Sequence, residues 1–136
     1  MVQIDPIAYQ LHTSHTLTLA HKWDGKTISK RVLLAPPPYV LLHLKEANVW
    51  IYFDSVDNMR AILTNNRLLI LKAIREHKPK SVYGLAKILG RDMKNVKQDL
   101  KLLSEIGLVT LERTKTDKKR SIPHVDYSKI LLEIPV

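Results

Sequence analysis

The chain has 136 residues, the length of one domain with at most a small appendage, which excludes a large multidomain enzyme. It carries 22 Lys and Arg against 13 Asp and Glu, and a net charge of +9 favours an anionic partner such as nucleic acid or an acidic membrane surface. It has no cysteine, which excludes disulfide frameworks, thiolate metal clusters and cysteine nucleophiles.

Nothing in the sequence requires an oxidising or a membrane environment. Residues 1–6 lack a basic start and lead into no apolar core, so they do not begin a signal peptide. The longest apolar stretch, residues 32–44, is interrupted by three prolines and is shorter than the ~20 residues of a membrane helix. We therefore expect a soluble, cytoplasmic protein with no membrane partner.

The N-terminal region, residues 1–54, is predicted to be rich in strands. Polar and apolar residues alternate at 16–19 and 27–29 around Asp24-Gly25, a dipeptide typical of tight hairpin turns. The prolines at 36–38 then require an extended connection, and the β-branched and aromatic residues that follow favour two further strands. A helix over residues 39–47 remains an alternative.

Four helices are predicted between residues 55 and 107, because a capping residue precedes each and apolar residues recur at helical spacing. The capping residues are Ser55, Thr64, Ser81 and Asp92, and the helices end at Leu63, Pro79, Gly90 and Gly107. Their apolar positions, in order, are Met59, Ile62 and Leu63; Leu68, Leu71 and Ile74; Leu85, Ala86 and Leu89; and Met93, Val96, Leu100 and Leu103. A short helix, a glycine turn and a longer helix form a helix-turn-helix order.

The residues after Gly107 return to an alternating pattern. Val109 and Leu111 are predicted to face inward from one strand, residues 115–120 form a charged tip, and a returning strand starts near Ile122. The tip and its two strands would form a wing. A last strand is predicted from the alternation of Ile130, Leu132 and Ile134.

Residues 64–136 resemble the winged helix-turn-helix domain of MarR-type regulators. The resemblance rests on the phrases 81–92 and 103–109, with Val96, Asp99 and Leu100 between them. Residues 53–59 and 125–134 are similar to a prokaryotic subgroup of antitoxin-like transcriptional regulators. The resemblance implies sequence-specific DNA binding, usually as a dimer, and autoregulation in members paired with a toxin; residues 1–50 have no such match.

Together these patterns predict an α+β protein: a winged helix-turn-helix DNA-binding domain at 55–136, preceded by a small strand-rich region at 1–54 for dimerisation or partner binding. One departure from the family pattern is Gly84, where such sequences often have Glu. Without that side chain the reciprocal capping-box bond is absent, and a Gly inside a helix costs about 1 kcal/mol relative to Ala. Gly84 would be explained if it allowed close helix packing.

The positive charge is concentrated in the second half of the chain, with 16 basic and 8 acidic residues after Leu63. On the fourth helix the residues opposite the apolar side are polar or basic, and an α-helix with such residues fits the major groove of DNA. We predict base contacts from Lys94, Asn95 and Gln98. Contacts to the DNA backbone are predicted for Arg91, Lys97 and Lys101. The alternative is an ordinary solvated helix face, while Asp92 and Asp99 are interpreted as a cap and an internal counter-charge.

Three further groups are candidates for phosphate contact. The wing carries the basic residues Arg113, Lys115, Lys118, Lys119 and Arg120, although a charged loop tip is the alternative. Thr64 and Ser81 begin helices, where backbone N–H groups attract anions, but capping alone would explain both hydroxyls. Tyr83 is a weaker candidate, for which core packing is equally plausible.

No residue pattern predicts an enzyme, a metal site or a cofactor. His12, His15 and His21 are close in sequence, but a closed zinc site usually needs four N or S ligands, so we expect no metal. The aromatic residues Trp23, Trp50, Tyr52 and Phe53 are expected to pack in a core, with a subunit interface as the alternative.

The function that these predictions favour is a dimeric repressor whose recognition helices read a pseudo-palindromic operator on double-stranded DNA. The dimer would form through the N-terminal region and the last strand. The alternative is an antitoxin whose N-terminal region binds and neutralises a toxin protein.

Overall fold

The computed structural model describes residues 2–4, 10–12, 16–23, 26–33, 38–47, 49–116 and 120–136, with side chains only from residue 38 onward. The strands before the helices are β1 (Val2–Ile4), β2 (Gln10–His12), β3 (Thr16–Trp23), β4 (Lys26–Leu33), β5 (Val40–Leu44) and β6 (Val49–Phe53). Helices α1 (Val56–Ile62), α2 (Asn65–His77), α3 (Val82–Leu89) and α4 (Met93–Ile106) follow. Strands β7 (Thr110–Arg113), β8 (Ser121–His124) and β9 (Ile130–Glu133) complete the described elements. The α+β class is therefore confirmed.

The chain divides into two compact units. One comprises Met1–Met59 together with Tyr127–Val136, and we call it the sheet unit; the other is Arg60–Asp126, which we call the helical unit. This division differs from the predicted boundary at residue 54 in two respects, the first being that the boundary lies after Met59. The second is that the last ten residues belong with the N-terminal strands, because β9 pairs with β5 across more than 80 residues of sequence.

The sheet unit contains two antiparallel sheets. The predicted hairpin at 16–29 is present as β3 and β4, whose register runs from Thr16 opposite Leu33 to Trp23 opposite Lys26. The connecting Asp24-Gly25 lies outside the described residues. The second sheet has the strand order β1, β6, β5, β9. Its β5 replaces the alternative of a helix over 39–47.

The centre of the second sheet is apolar on both faces. Val40, Leu41, Leu42 and Leu44 of β5 are buried, as are Ile51, Tyr52 and Phe53 of β6. His43 and Trp50 are cross-strand partners whose rings stack at 4.4 Å. The prediction that these aromatic residues pack in a core is therefore met by Tyr52 and Phe53, and Trp50 is half-buried.

The four helices begin where their capping residues predicted. The hydroxyls of Ser55, Thr64 and Ser81 accept bonds from the amides of Asn58, Arg67 and Gly84, and Asp92 caps α4 through the amide of Asn95. Gly90 and Gly107 end α3 and α4 with φ of 62° and 100°, a conformation that glycine adopts without steric cost. Helix α2 ends at His77, and its C-terminal capping residue Lys78, just before Pro79, also has a positive φ.

Gly84 does not serve close helix packing. A Cβ at this position would lie 3.3 Å from the Ser81 hydroxyl, so the absent side chain leaves room for the cap itself.

The core of the helical unit is made by one side of each of its long helices. The buried residues are Ile70, Leu71, Ala73 and Ile74 of α2, Leu85 and Ala86 of α3, and Val96, Leu100, Leu103 and Ile106 of α4. The prediction that Leu68 lies on the buried side of α2 was wrong, because its side chain is 41% exposed. Because steps of three residues fall short of a full turn of 3.6, the row of Leu68, Leu71 and Ile74 turns away from the core at one end.

Strands β7 and β8 form a hairpin after α4, as predicted. Val109 is buried and Leu111 half-buried, whereas Thr110 and Glu112 are exposed. Pro123 lies in β8 opposite Leu111 and is itself buried. None of the described helices is long and apolar enough to cross a membrane.

Candidate nucleic-acid interface

The connection between α3 and α4 is short and fixed by backbone bonds. The amide of Arg91 donates to the carbonyl of Ala86 at 3.1 Å, and that of Gly90 donates to Lys87 at 3.3 Å. The Asp92 carboxylate then accepts a hydrogen bond from the backbone amide of Asn95, in the first turn of α4. The direction of α4 relative to α3 is thus set by a glycine turn between two capped ends.

Helix α4 has one buried and one polar side. Val96, Leu100 and Leu103 are at most 2% exposed. The opposite side carries exposed polar and charged residues at spacings of three and four, which places neighbours on adjacent turns. They are Lys94, Asn95, Lys97, Gln98, Lys101 and Glu105. The predicted division of this helix is therefore observed, except that Met93 is 36% exposed rather than buried.

Asp99 holds α4 to its surroundings through two arginines. Its Oδ1 accepts from Arg67 Nε of α2 at 3.1 Å, and its Oδ2 accepts from Arg91 Nη2 at 2.9 Å. Arg67 Nη1 also donates to the carbonyls of Ala61 and Ile62 at the end of α1, each at 2.9 Å. The interpretation of Asp99 as an internal counter-charge agrees with these contacts, and we call the three residues the Asp99 triad.

The Asp99 triad changes the role available to Arg91. Its side chain is 27% exposed, and one of its guanidinium nitrogens is bonded to Asp99. Because Asp99 holds its guanidinium, Arg91 is better placed to fix the start of α4 than to contact a ligand. Arg67 was not predicted to matter, because no local pattern shows that a residue 32 positions away will face Asp99.

The β7–β8 hairpin brings further basic side chains to the helical unit. Arg113, Lys115 and Arg120 are exposed, and the amide of Thr114 donates to the carbonyl of Arg120 at 3.2 Å where the hairpin narrows. Glu112 lies 2.7 Å from the His124 ring on the adjacent strand. The predicted wing residues Lys118 and Lys119 lie outside the described residues.

A cleft of about 490 Å³ runs between the start of α3, one flank of α4 and the hairpin. Its floor and walls include the apolar side chains of Val82, Tyr83, Met93, Leu100 and Leu111. Three basic residues line it as well, Lys97 and Lys101 from α4 and Arg120 from the hairpin, and so do the hydroxyls of Ser81, Ser104 and Ser121. We call it the α4–hairpin cleft.

The structure separates the predicted contact residues into two groups. Lys97, Lys101, Arg120 and Ser81 line the α4–hairpin cleft. Lys94, Asn95 and Gln98 are exposed on α4 but do not line it. Thr64 caps α2 and is likewise outside it. The sequence could not predict these two groups, because they depend on where the β7–β8 hairpin packs against the helices.

Tyr83, predicted only as a weaker candidate for phosphate contact, and Met93, predicted in the core, both line the cleft. Tyr83 is 63% exposed, so core packing does not account for it. Met93 was assigned to the core side of α4, although its position in the first turn brings it to the cleft. The sequence signal that could have indicated them is a large apolar residue in the first turn of each helix, Tyr83 after the Ser81 cap and Met93 after the Asp92 cap.

Over the residues that the structure describes, no group of three His, Asp or Glu side chains is arranged to hold a metal ion. His12 and His21 lie on β2 and β3, and His15 is outside the described residues.

One family model matches the chain. It is the model of the HVO_A0114 family, and the match covers residues 62–132, which include α2, α3, α4 and the hairpin. A comparison with curated proteins finds no match.

Proposed function

This chain belongs to the HVO_A0114 family, and we propose that it is a sequence-specific regulator that binds double-stranded DNA through α4 and the β7–β8 hairpin. In this proposal α3, the Gly90 turn and α4 are a helix-turn-helix, and the hairpin is its wing. The observation that carries the proposal is the exposed side of α4, where lysines and side-chain amides occupy successive turns of a helix whose other side is buried.

The distribution of charge supports a polyanionic ligand for the helical unit. Arg60–Asp126 contains 16 Lys and Arg against 7 Asp and Glu, so it accounts for the whole net charge of +9. The remaining residues contain six of each sign. Because duplex DNA carries one negative charge per ~1.7 Å of axis, a strongly basic unit with an exposed helix side is suited to bind it.

The two groups of contact residues have different proposed roles. Gln98 and Asn95 carry amides that can bond in pairs to adenine, and Lys94 can donate to guanine, so these three read bases in the major groove. Lys97, Lys101 and Arg120, on the rim of the α4–hairpin cleft, bind the phosphates that border that groove. Arg91 fixes the start of α4 through Asp99.

The basic residues of the hairpin extend the contact beyond α4. Arg113, Lys115 and Arg120 are exposed, and Lys118 and Lys119 add two charges to the connection between the strands. Charges on such a tip bind phosphate or an adjacent minor groove with little base preference. The hairpin therefore contributes affinity, while α4 contributes specificity.

The acting species in this proposal is a dimer on a pseudo-palindromic operator, with half-sites about 34 Å apart. Of the two functions open from the sequence, DNA reading is favoured over toxin neutralisation because the charge and the exposed helix belong to the same unit.

The test starts with selection of duplexes from a random DNA pool by the purified protein. Affinity for the selected duplex is then measured by fluorescence anisotropy at several salt concentrations. If each protomer neutralises about four phosphates, log K falls with log salt with a slope near −7 for a dimer. Failure to enrich any sequence, together with a slope near zero, would refute the proposal, and co-purification of a partner protein without DNA binding would favour the antitoxin.

A further inference from the structure

Strand β9 lies at an edge of the four-stranded sheet and exposes large apolar side chains. Within the described part of the chain it pairs with β5 alone. Leu131, Leu132 and Ile134 are 45%, 49% and 44% exposed, on both faces of the strand and just past its end. An edge strand with unpaired backbone groups and apolar side chains is a template for pairing with another strand.

The backbone groups that point away from β5 can be identified from the register. The amide of Lys45 donates to the carbonyl of Lys129 at 3.0 Å, so Lys129 turns its backbone groups toward β5. Bonding alternates along an antiparallel strand, and the register places Leu44 opposite Ile130 and Leu42 opposite Leu132. The backbone groups of Ile130 and Leu132 therefore point outward.

We propose that β9 pairs antiparallel with β9 of a second copy of this chain, with Leu131 opposite its own counterpart on the two-fold axis. In this register Ile130 of one copy lies opposite Leu132 of the other, and these are the residues whose outward backbone groups can bond. Lys129 lies opposite Glu133, twice in each dimer. The strand is thus complementary to itself in hydrogen bonds, apolar contact and charge.

Neighbouring registers lack this complementarity. A two-fold axis at Leu132 would place Glu133 opposite Leu131 of the other copy. An axis at Ile130 would place Lys129 opposite Leu131. An axis between two residues would set an outward backbone group against one that is already bonded to β5. The pairing of opposite charges selects the axis at Leu131.

The same self-complementarity favours a second copy over an unrelated strand. A two-fold interface requires that each residue and its partner exchange places between the copies, and the pairs of Lys129 with Glu133 and Ile130 with Leu132 do so. The strand ends at Glu133, and Pro135 prevents its extension, so the contact is limited to the five residues 129–133. We therefore expect weak self-association that DNA strengthens by binding both copies at once. The inference does not depend on DNA binding, although it would supply the dimer proposed above.

Disulfide trapping tests the register directly, because the chain has no cysteine of its own. Residues facing each other in a non-hydrogen-bonded pair have Cα atoms about 4.5 Å apart, within the range of a disulfide. Leu131→Cys is expected to form a covalent dimer under mild oxidation. Leu132→Cys is two residues out of register with itself, at about 8 to 9 Å, and is expected to stay reduced. The matched control is Leu69→Cys, at an equally exposed leucine of α2.

Charge reversal tests the same pairing without a covalent bond. Lys129→Glu and Glu133→Lys each create two like-charge pairs, and each variant alone is expected to weaken dimerisation about tenfold or more. An equimolar mixture of the two variants restores both opposite-charge pairs and should dimerise like the wild type. Sedimentation velocity over a concentration series measures all three samples, with circular dichroism as the check on folding.

Three results would overturn the inference: a monomer at every concentration, equal cross-linking of Leu131→Cys and Leu69→Cys, or no recovery in the mixture. Binding of a duplex that contains one half-site is measured for the same variants. Retained half-site binding with lost dimerisation separates a failure of β9 pairing from a failure of the proposed function.

Discussion

The two units differ in both charge and the distance over which their elements pair. The helical unit holds the whole net charge of +9 and is built from neighbours in sequence, whereas the sheet unit is neutral and joins β5 to a strand at the far end of the chain. A neutral unit with an exposed apolar edge is suited to association with protein, and a strongly basic one to a polyanion. The two proposals therefore assign DNA recognition and self-association to separate units of one small chain.

The largest effect that would test this separation is expected at Asp99. Asp99→Asn removes the counter-charge from Arg67 and Arg91, whose side chains are 20% and 27% exposed. Since the triad is not fully buried, we expect a loss of about 2 to 3 kcal/mol in the free energy of unfolding, below the 3 to 5 of a buried pair. Hydrogen exchange should show faster exchange of the backbone amides in α2 and α4, and unchanged exchange rates in β5 and β6.

The matched control for Asp99 is Glu105→Gln, which removes one negative charge from the exposed side of the same helix. Its effect on stability is expected to stay within about 0.5 kcal/mol. Equal losses for both variants would mean that Asp99 acts through net charge alone and that the triad does not position α4.

A second comparison lies within the helical unit, between the amide side chains of α4 and the lysines assigned to phosphate, one in the cleft and one in the connection between β7 and β8. Gln98→Ala, like Asn95→Ala, is expected to cost about 1 to 3 kcal/mol on the selected duplex and to relax the preference at particular base positions. Lys101→Ala and Lys119→Ala should weaken binding to all duplexes alike. Each should reduce the salt slope by about 2, because the dimer loses one phosphate contact in each protomer. Lys72→Ala, an exposed lysine of α2 that does not line the cleft, controls for net charge. Sequence-blind losses for every variant would contradict the division of roles.

The helical unit was largely predictable because its signals are local. The caps at Thr64, Ser81 and Asp92 and the glycines at the ends of α3 and α4 each act within one turn of the chain, so their effect can be read without knowing the packing. The exposed side of α4 follows from the same periodicity. What remained hidden was long-range: the arginines that meet Asp99 and the hairpin side chains that meet Lys97 and Lys101.

The sheet unit was less predictable for the converse reason. Strands β5 and β6 follow from composition, but strand order depends on which distant segments meet, and no local feature of residues 130–133 indicates that β5 is their partner. The short strands β1 and β2 have three residues each, too few for an alternating pattern to stand out. The predicted boundary at 54 consequently grouped β9 with the helices, whereas the structure groups it with β5.

A smaller effect is expected at Ser81, which separates capping from ligand contact. Ser81→Ala removes the bond to the Gly84 amide and should cost about 1 kcal/mol in stability. Ser81→Asp keeps a side-chain oxygen at the cap, so it should leave the thermal unfolding midpoint nearly unchanged, yet it adds a negative charge to the α4–hairpin cleft. Weaker DNA binding by Ser81→Asp at unchanged stability would assign a phosphate to the cleft, and unchanged binding would leave Ser81 as a cap alone.

The smallest effect is expected in the sheet unit and only at alkaline pH. Tyr127 is 6% exposed, and burial raises the pKa of its phenol well above the ordinary value of 10.0. Below pH 10 the phenol is protonated in both the folded and the unfolded chain, so it does not affect the balance between them. Above pH 10 the unfolded chain loses this proton while the folded chain keeps it, and the free energy of unfolding therefore falls as the pH rises.

Titration of tyrosinate absorbance should show this phenol ionising at a higher pH in the folded protein than in denaturant, and Tyr127→Phe should reduce the difference between the two curves. If Tyr127→Phe instead removed a step near pH 10 from the folded curve, the phenol would be in contact with water and the sheet unit would be more open at this residue than its burial indicates.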